Sequence, residues 1–140
     1  MNSISFSYRT NQVAHSADIS LRQLQTWEEK RIAIASRSGR VRSYSHSQAL
    51  FVIVLAEFRR RGLSLQRLRR ISSELQELLV TYEVTTAPGV SAFILTDGRQ
   101  IQFSDSRNKT LELVSNFFRP MVCVDLAACL ERIEKTRLAD

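Results

Sequence analysis

Three side chains near the start of the chain could read the edges of bases. In "DISLRQLQTWEE" (residues 18–29) Arg22, Gln23 and Thr26 stand at i, i+1 and i+4, a spacing that gives them one side of a helix, with Leu21 and Leu24 on the other. An arginine can fork to guanine O6 and N7, a glutamine can pair with adenine N6 and N7, and a helix of about two to three turns fits the major groove of a duplex. A few residues later "RSGRVRSYS" (residues 37–45) sets Arg37, Arg40 and Arg42 around Gly39, and guanidinium forks match phosphate oxygens. Each residue also has a plainer reading. Gln23 follows Ser20 by three residues and could close a capping box; Thr26 and the arginines could be solvated surface.

Such side chains act only if the backbone presents them. Thr10 reads as an N-cap, followed by Val13, Ala14 and Ala17 on one helical face. Asp18 interrupts that helix and Ser20 starts the next, so two short helices are separated by about three residues, which is the helix-turn-helix arrangement. Upstream, the alternation of Ile4, Phe6 and Tyr8 could be a short strand or an ordered arm. Residues 30–45 fit a β-hairpin with its tip near Ser38 and Gly39, where glycine can take a positive φ. A third helix starting at about residues 45–47 runs through "QALFVIVLAEFRRR", so apolar all round that it must be buried, and Gly62 ends it. Ser64 caps a fourth helix with Leu65, Leu68, Ile71, Leu75 and Leu78 on its inner face.

Past about Val80 the pattern changes. Pro88 and Gly89 in "TYEVTTAPGV" mark a boundary. "SAFILTDGRQIQFSD" alternates about Asp97-Gly98 as a hairpin; "KTLELVSNFF", "MVCVD" and "LAACLERIEKTRL" read as helix, buried strand and helix. The expected fold is α+β: a winged helix-turn-helix of four helices with a β-hairpin wing over residues 1–80, then a small ββαβα unit over residues 81–140.

The charge follows the same division. Residues 1–80 hold 13 Arg and Lys against 6 Asp and Glu, net +7, and residues 81–140 hold 7 against 8, net −1, which together give the formal +6 of the chain. Of the 13, only Lys30 is lysine. A basic half beside a neutral half suggests one part that meets a polyanion and another that does something else. No stretch approaches the roughly 18 to 20 apolar residues of a membrane span, and "MNSISFSYRT" lacks the layout of a secretory signal, so the expectation is a soluble cytoplasmic protein. Cys123 and Cys129 have neither CxxC nor zinc-knuckle spacing; they read as buried, reduced thiols. No Ser/His/Asp, Cys/His, paired-carboxylate or phosphate-loop pattern is present, and neither enzyme activity nor a metal or cofactor is expected.

Residues 8–71 also resemble the DNA-binding domain of the MerR-type transcription regulators. The resemblance rests on "VA" at 13–14, "DISLRQLQTWEE" with its aromatic-then-Glu ending, "RVRSYS" and the Gly-hydroxyl junction in "RRRGLSLQRLRRI". It implies that Arg22 and Gln23 open a recognition helix, that Arg42 in the wing meets phosphate, and that Trp27 packs beneath the helix and can touch the DNA backbone. With Thr10, Ser20, Thr26, Arg37, Arg40 and Tyr44 these make up the expected DNA-contacting set. Asp18 stands where the family usually has glycine, Gln25 replaces the arginine of a common Leu-Arg pair, and little room is left before Pro88 for the family's long dimerisation helix. The function expected is that of a homodimeric, sequence-specific double-stranded-DNA-binding regulator, a repressor or autoregulator associated with the nucleoid. An antitoxin-like protein, whose C-terminal unit binds a protein partner, is the alternative.

Overall fold

A computed structural model of the chain describes residues 7–33, 35–38, 41–85, 92–116 and 120–139. Within them it is an α+β protein of six helices and two three-stranded antiparallel sheets. The order is β1 (Ser7–Tyr8), α1 (Thr10–Ala17), α2 (Leu21–Glu29), β2 (Ser36–Ser38), β3 (Val41–Ser45), α3 (His46–Arg60), α4 (Leu65–Thr85), β4 (Phe93–Thr96), β5 (Ile101–Ser104), α5 (Arg107–Asn116), β6 (Val122–Asp125) and α6 (Leu126–Ala139). Strand order is β1-β3-β2 in the first sheet and β5-β4-β6 in the second.

The local signals explain most boundaries. Ser20 caps α2 by accepting from the Gln23 N–H at 3.0 Å. Ser45 and Gln48 form a reciprocal capping box on α3, with the Gln48 side chain accepting from the Ser45 N–H at 2.8 Å and Ser45 Oγ accepting from the Gln48 N–H at 3.2 Å. Gly62, at φ 105°, follows α3, and Ser64 Oγ accepts from the Arg67 N–H at the start of α4. Thr10, expected as a cap, is instead the first helical residue. Arg9 is the cap residue, and the Gln12 side chain reaches back to its N–H at 2.8 Å. The second hairpin turns through four residues between the opposed Thr96 and Ile101. Asp97 Oδ1 accepts there from the Arg99 and Gln100 amides, and Gly98 takes φ 94° where a β-carbon would collide with the Arg67 side chain.

Helix α3 is the axis of the molecule. Ala49 to Ala56 and Phe58 are all buried, and the helix packs against α1, α4, α6, β3 and β6. The fourth helix runs past the change of pattern at Val80 to Thr85, because Leu79 and Tyr82 continue the buried face of Leu68, Ile71 and Leu75. Pro88 and Gly89 lie outside the described residues. One apolar cluster contains Val13, Leu24, Tyr44 and Leu55 together with Ile94, Val124, Cys129 and Ile133, so both halves of the chain share a core. Cys129 is buried, which pushes its thiol up to about 12, with the nearby Glu57 adding to the shift; Cys123 is half-buried.

Glu57 on α3 is the polar counterpart of that shared core. Its carboxylate accepts from Arg60 at the end of its own helix, from the cap residue Arg61 and, at 2.6 Å, from Arg132 on α6. Arg60 also donates at 2.9 Å to the carbonyl of Ala17, the last residue of α1. Burial alone would raise the Glu57 pKa, but the three guanidiniums outweigh it and hold the group at about 2 against an ordinary 4.5. Because the folded value is depressed, its stabilisation is complete above about pH 4.5 and is lost as the pH falls towards 2. Glu57→Gln should therefore destabilise the protein at pH 7 by about 1–3 kcal/mol, allowing for the partial exposure of the arginines. The gap in melting temperature between wild type and variant should close as the pH is lowered through that window. An equal gap at pH 7 and pH 2.5 would contradict the assignment.

Candidate nucleic-acid interface

The turn between α1 and α2 is tight because Asp18 takes the left-handed conformation, φ 56° and ψ 48°, as its place in the family pattern implied. The Ile19 N–H reaches the Ala14 carbonyl at 3.0 Å and the Asp18 N–H the His15 carbonyl at 3.1 Å, a Schellman-type closure of α1. With Arg60 fixing the end of α1 from behind, α2 is held at a set angle to it.

Leu24 and Trp27 anchor α2; they are 0% and 1% exposed. At about 100° per residue the side opposite this pair runs through Gln25, Glu29, Arg22 and Thr26, and of these Arg22, Gln25 and Glu29 are exposed. Leu21, expected to face inward with Leu24, is 47% exposed. The inward pair is Leu24 and Trp27, not Leu21 and Leu24, and this rotates the outer face away from Gln23. Gln23 and Thr26 are half-buried, the Gln23 backbone N–H donates to the Ser20 cap, and the Thr26 hydroxyl donates to the Arg22 carbonyl at 2.9 Å. Gln25 is thus a member of the outer face that the spacing argument missed, although the position of the tryptophan could have identified it.

The ribbon lies beside this helix. Strand β3 pairs with β2 in the register Ser36↔Ser43, Arg37↔Arg42 and Ser38↔Val41, and with β1 through Tyr8↔Tyr44. Gly39 and Arg40 lie outside the described residues, and so does the side chain of Arg37. Two groups on β3 converge on one carboxylate of α2: Arg42 forms an ion pair with Glu28, and the Tyr44 hydroxyl donates to the other Glu28 oxygen. Tyr44 is fully buried. Burial first, and then the hydrogen bond to Glu28, push its phenol far above the usual tyrosine range. Trp27 packs beneath the helix as expected, and Tyr44, expected among the DNA-contacting residues, is also a core side chain; the two hold the helix and the ribbon together.

Arg42 keeps an outer side. Its side chain is 37% exposed and, with Arg9, Thr10, Asn11, Leu21 and Gln25, lines an open cleft of about 480 Å³ where the first turn of α1, the first turn of α2 and β3 meet. Thr10 and Arg42 are brought together there, with Arg22 exposed on the turn that carries Leu21; Ser20 is occupied as a cap. The cleft offers guanidinium and amide donors, as a phosphate or a base edge requires. Arg9 and Gln25, neither of them among the residues expected to contact DNA, join the candidate set.

Residues 8–75, just under half of the chain, match the model of the MerR HTH family of regulatory proteins, which is consistent with a MerR-type helix-turn-helix in the N-terminal region. That family is one of DNA-binding regulators rather than enzymes. The match ends within α4, and the second sheet, α5 and α6 lie beyond it. No curated protein matches the chain. Among the described residues no helix is long and apolar enough to cross a membrane.

The Glu28 junction can be read directly. Glu28→Ala would leave the buried Tyr44 hydroxyl without its acceptor, at a cost of about 1–3 kcal/mol, and would remove the carboxylate that helps raise its pKa. Of the three tyrosines, one should then ionise at lower pH in a spectrophotometric alkaline titration of the folded variant. An unchanged titration would show that Tyr44 does not depend on Glu28.

Proposed function

We propose that the chain is a sequence-specific double-stranded-DNA-binding transcription regulator that works as a homodimer and represses by occupying its operator. The observation that carries this reading is the exposed Arg22 and Gln25 face of α2 beside Arg42, with helix and ribbon locked by Glu28. On this reading α2 enters the major groove, Arg22 and Gln25 meet base edges, and the β2–β3 hairpin is a wing whose Arg42 grips phosphate with Arg9 and the first turn of α1. A single module this small touches too few bases to select a site in a genome; two copies on two half-sites roughly add their free energies. The 1–80 and 81–140 division is then functional, with DNA contact in the first part and copy contact in the second, although the halves share a core. Such a protein would act in the cytoplasm, on nucleoid DNA.

Substitution separates the roles. Arg22→Ala should cost about 1–3 kcal/mol of discrimination at one base position and little on random DNA. Arg42→Ala should weaken binding to all sequences and reduce the salt slope by about one. Gel shifts on the native upstream region and on random duplex, across a salt series, measure both. Equal losses on the two duplexes for Arg22→Ala would contradict base reading by that side chain.

A further inference from the structure

The proposed regulator needs a second copy, and the face it would use can be located. We propose that two chains pair through the β5 edge of the second sheet and the outer face of α5. This rests on the homodimeric reading above and names the surface that makes it.

Charge excludes most of the molecule. The first 80 residues carry a net +7 and would repel their counterparts, whereas residues 81–140 carry a net −1, so self-contact is cheapest in the second part. Within that part β4 is central and β5 and β6 are the edges, of which β6 packs against α3. The four residues of β5, "IQFS", contain no lysine or proline, the residues that usually guard an edge.

Both sides of this edge carry exposed apolar groups. Phe103 pairs in register with the core residue Ile94, shares its face of the sheet and packs against Tyr82 on α4, yet remains 40% exposed. Ser104 points to the opposite face, and its Oγ accepts from Thr110 of α5 at 3.0 Å, which puts α5 on that other side. Leu111 and Val114, three residues apart on α5, are 65% and 47% exposed. The charges around them, Asp105, Arg107, Lys109 and Glu112, balance, as a surface that meets its own image requires.

A two-fold axis perpendicular to the sheet would set β5 antiparallel to its mate. Strand pairing across such an axis joins residues pointing to the same face, so Phe103 can oppose Phe103 of the second copy. The result is a continuous six-stranded sheet with the two α5 helices side by side on one face. Four strand residues and a ten-residue helix make a contact at the small end of specific interfaces, so the free dimer should be weak, with a Kd on the order of micromolar, and strengthened by DNA.

Sedimentation of the full chain between about 1 and 200 µM tests the proposal, alongside Leu111→Glu and Val114→Glu. Both positions are exposed, and circular dichroism would verify their folding. The proposal expects a concentration-dependent monomer–dimer equilibrium in the wild type and at least a tenfold rise in Kd in either variant. It also expects unchanged binding to a single half-site duplex and weakened binding to the full operator. A monomer at every concentration, with or without operator, would overturn it and leave this face to another protein. A dimer untouched by both substitutions would overturn it in favour of a different surface. If dimerisation behaves as expected but no duplex binds, the copy interface stands and the DNA reading falls.

Discussion

A single carboxylate sets the geometry of the candidate interface. Glu28 stands near the end of α2 with its side chain largely withdrawn from water, and accepts from Arg42 and from Tyr44 of the neighbouring strand. A short helix and a short ribbon are each marginal alone. Joined through Glu28 and seated on Leu24, Trp27 and Tyr44, they become one body that can present Arg22, Gln25 and Arg42 in a fixed relation. The ion pair does not consume Arg42, which still lines the outer cleft. A guanidinium has donors enough for a carboxylate on one side and a phosphate on the other.

Behind that body, α3 does the work that a small helix-turn-helix cannot do for itself. Its apolar run from Ala49 to Ala56 demands cover on every side, and α6 supplies part of it, touching both α1 and α3. The polar bonds follow the same path, from Arg132 to Glu57, from Arg60 to the end of α1, and from Ser16 on α1 to Thr136 on α6. The C-terminal residues are therefore structural support for the helix-turn-helix, whatever else they contact.

Much of this was legible in the residue pattern, for identifiable reasons. Ser20, Asp18, Gly62, Ser64 and the Asp97-Gly98 turn are local signals whose chemistry acts within a few residues, and they mark element boundaries as far as the second hairpin, while the last three elements follow from their apolar runs. The rotation of α2 was harder to read. Leu21 and Leu24 looked like an inward pair by spacing alone, and only the burial of Trp27 shows that the outer face includes Gln25 rather than Gln23. Glu28 is separated from Arg42 by fourteen residues, and no periodicity relates an acid on a helix to a base on a strand. The continuation of α4 to Thr85 was similarly hidden, since Val80 and Thr81 interrupt the leucine pattern, while Tyr82 keeps the buried face.

Amide hydrogen exchange of the full chain, with and without a duplex selected from random sequence, would test the central claim most directly. The account predicts added protection concentrated in residues 20–29 and 36–45, with the first turn of α1 joining them. Protection confined to residues 93–139, or none at low salt, would contradict it.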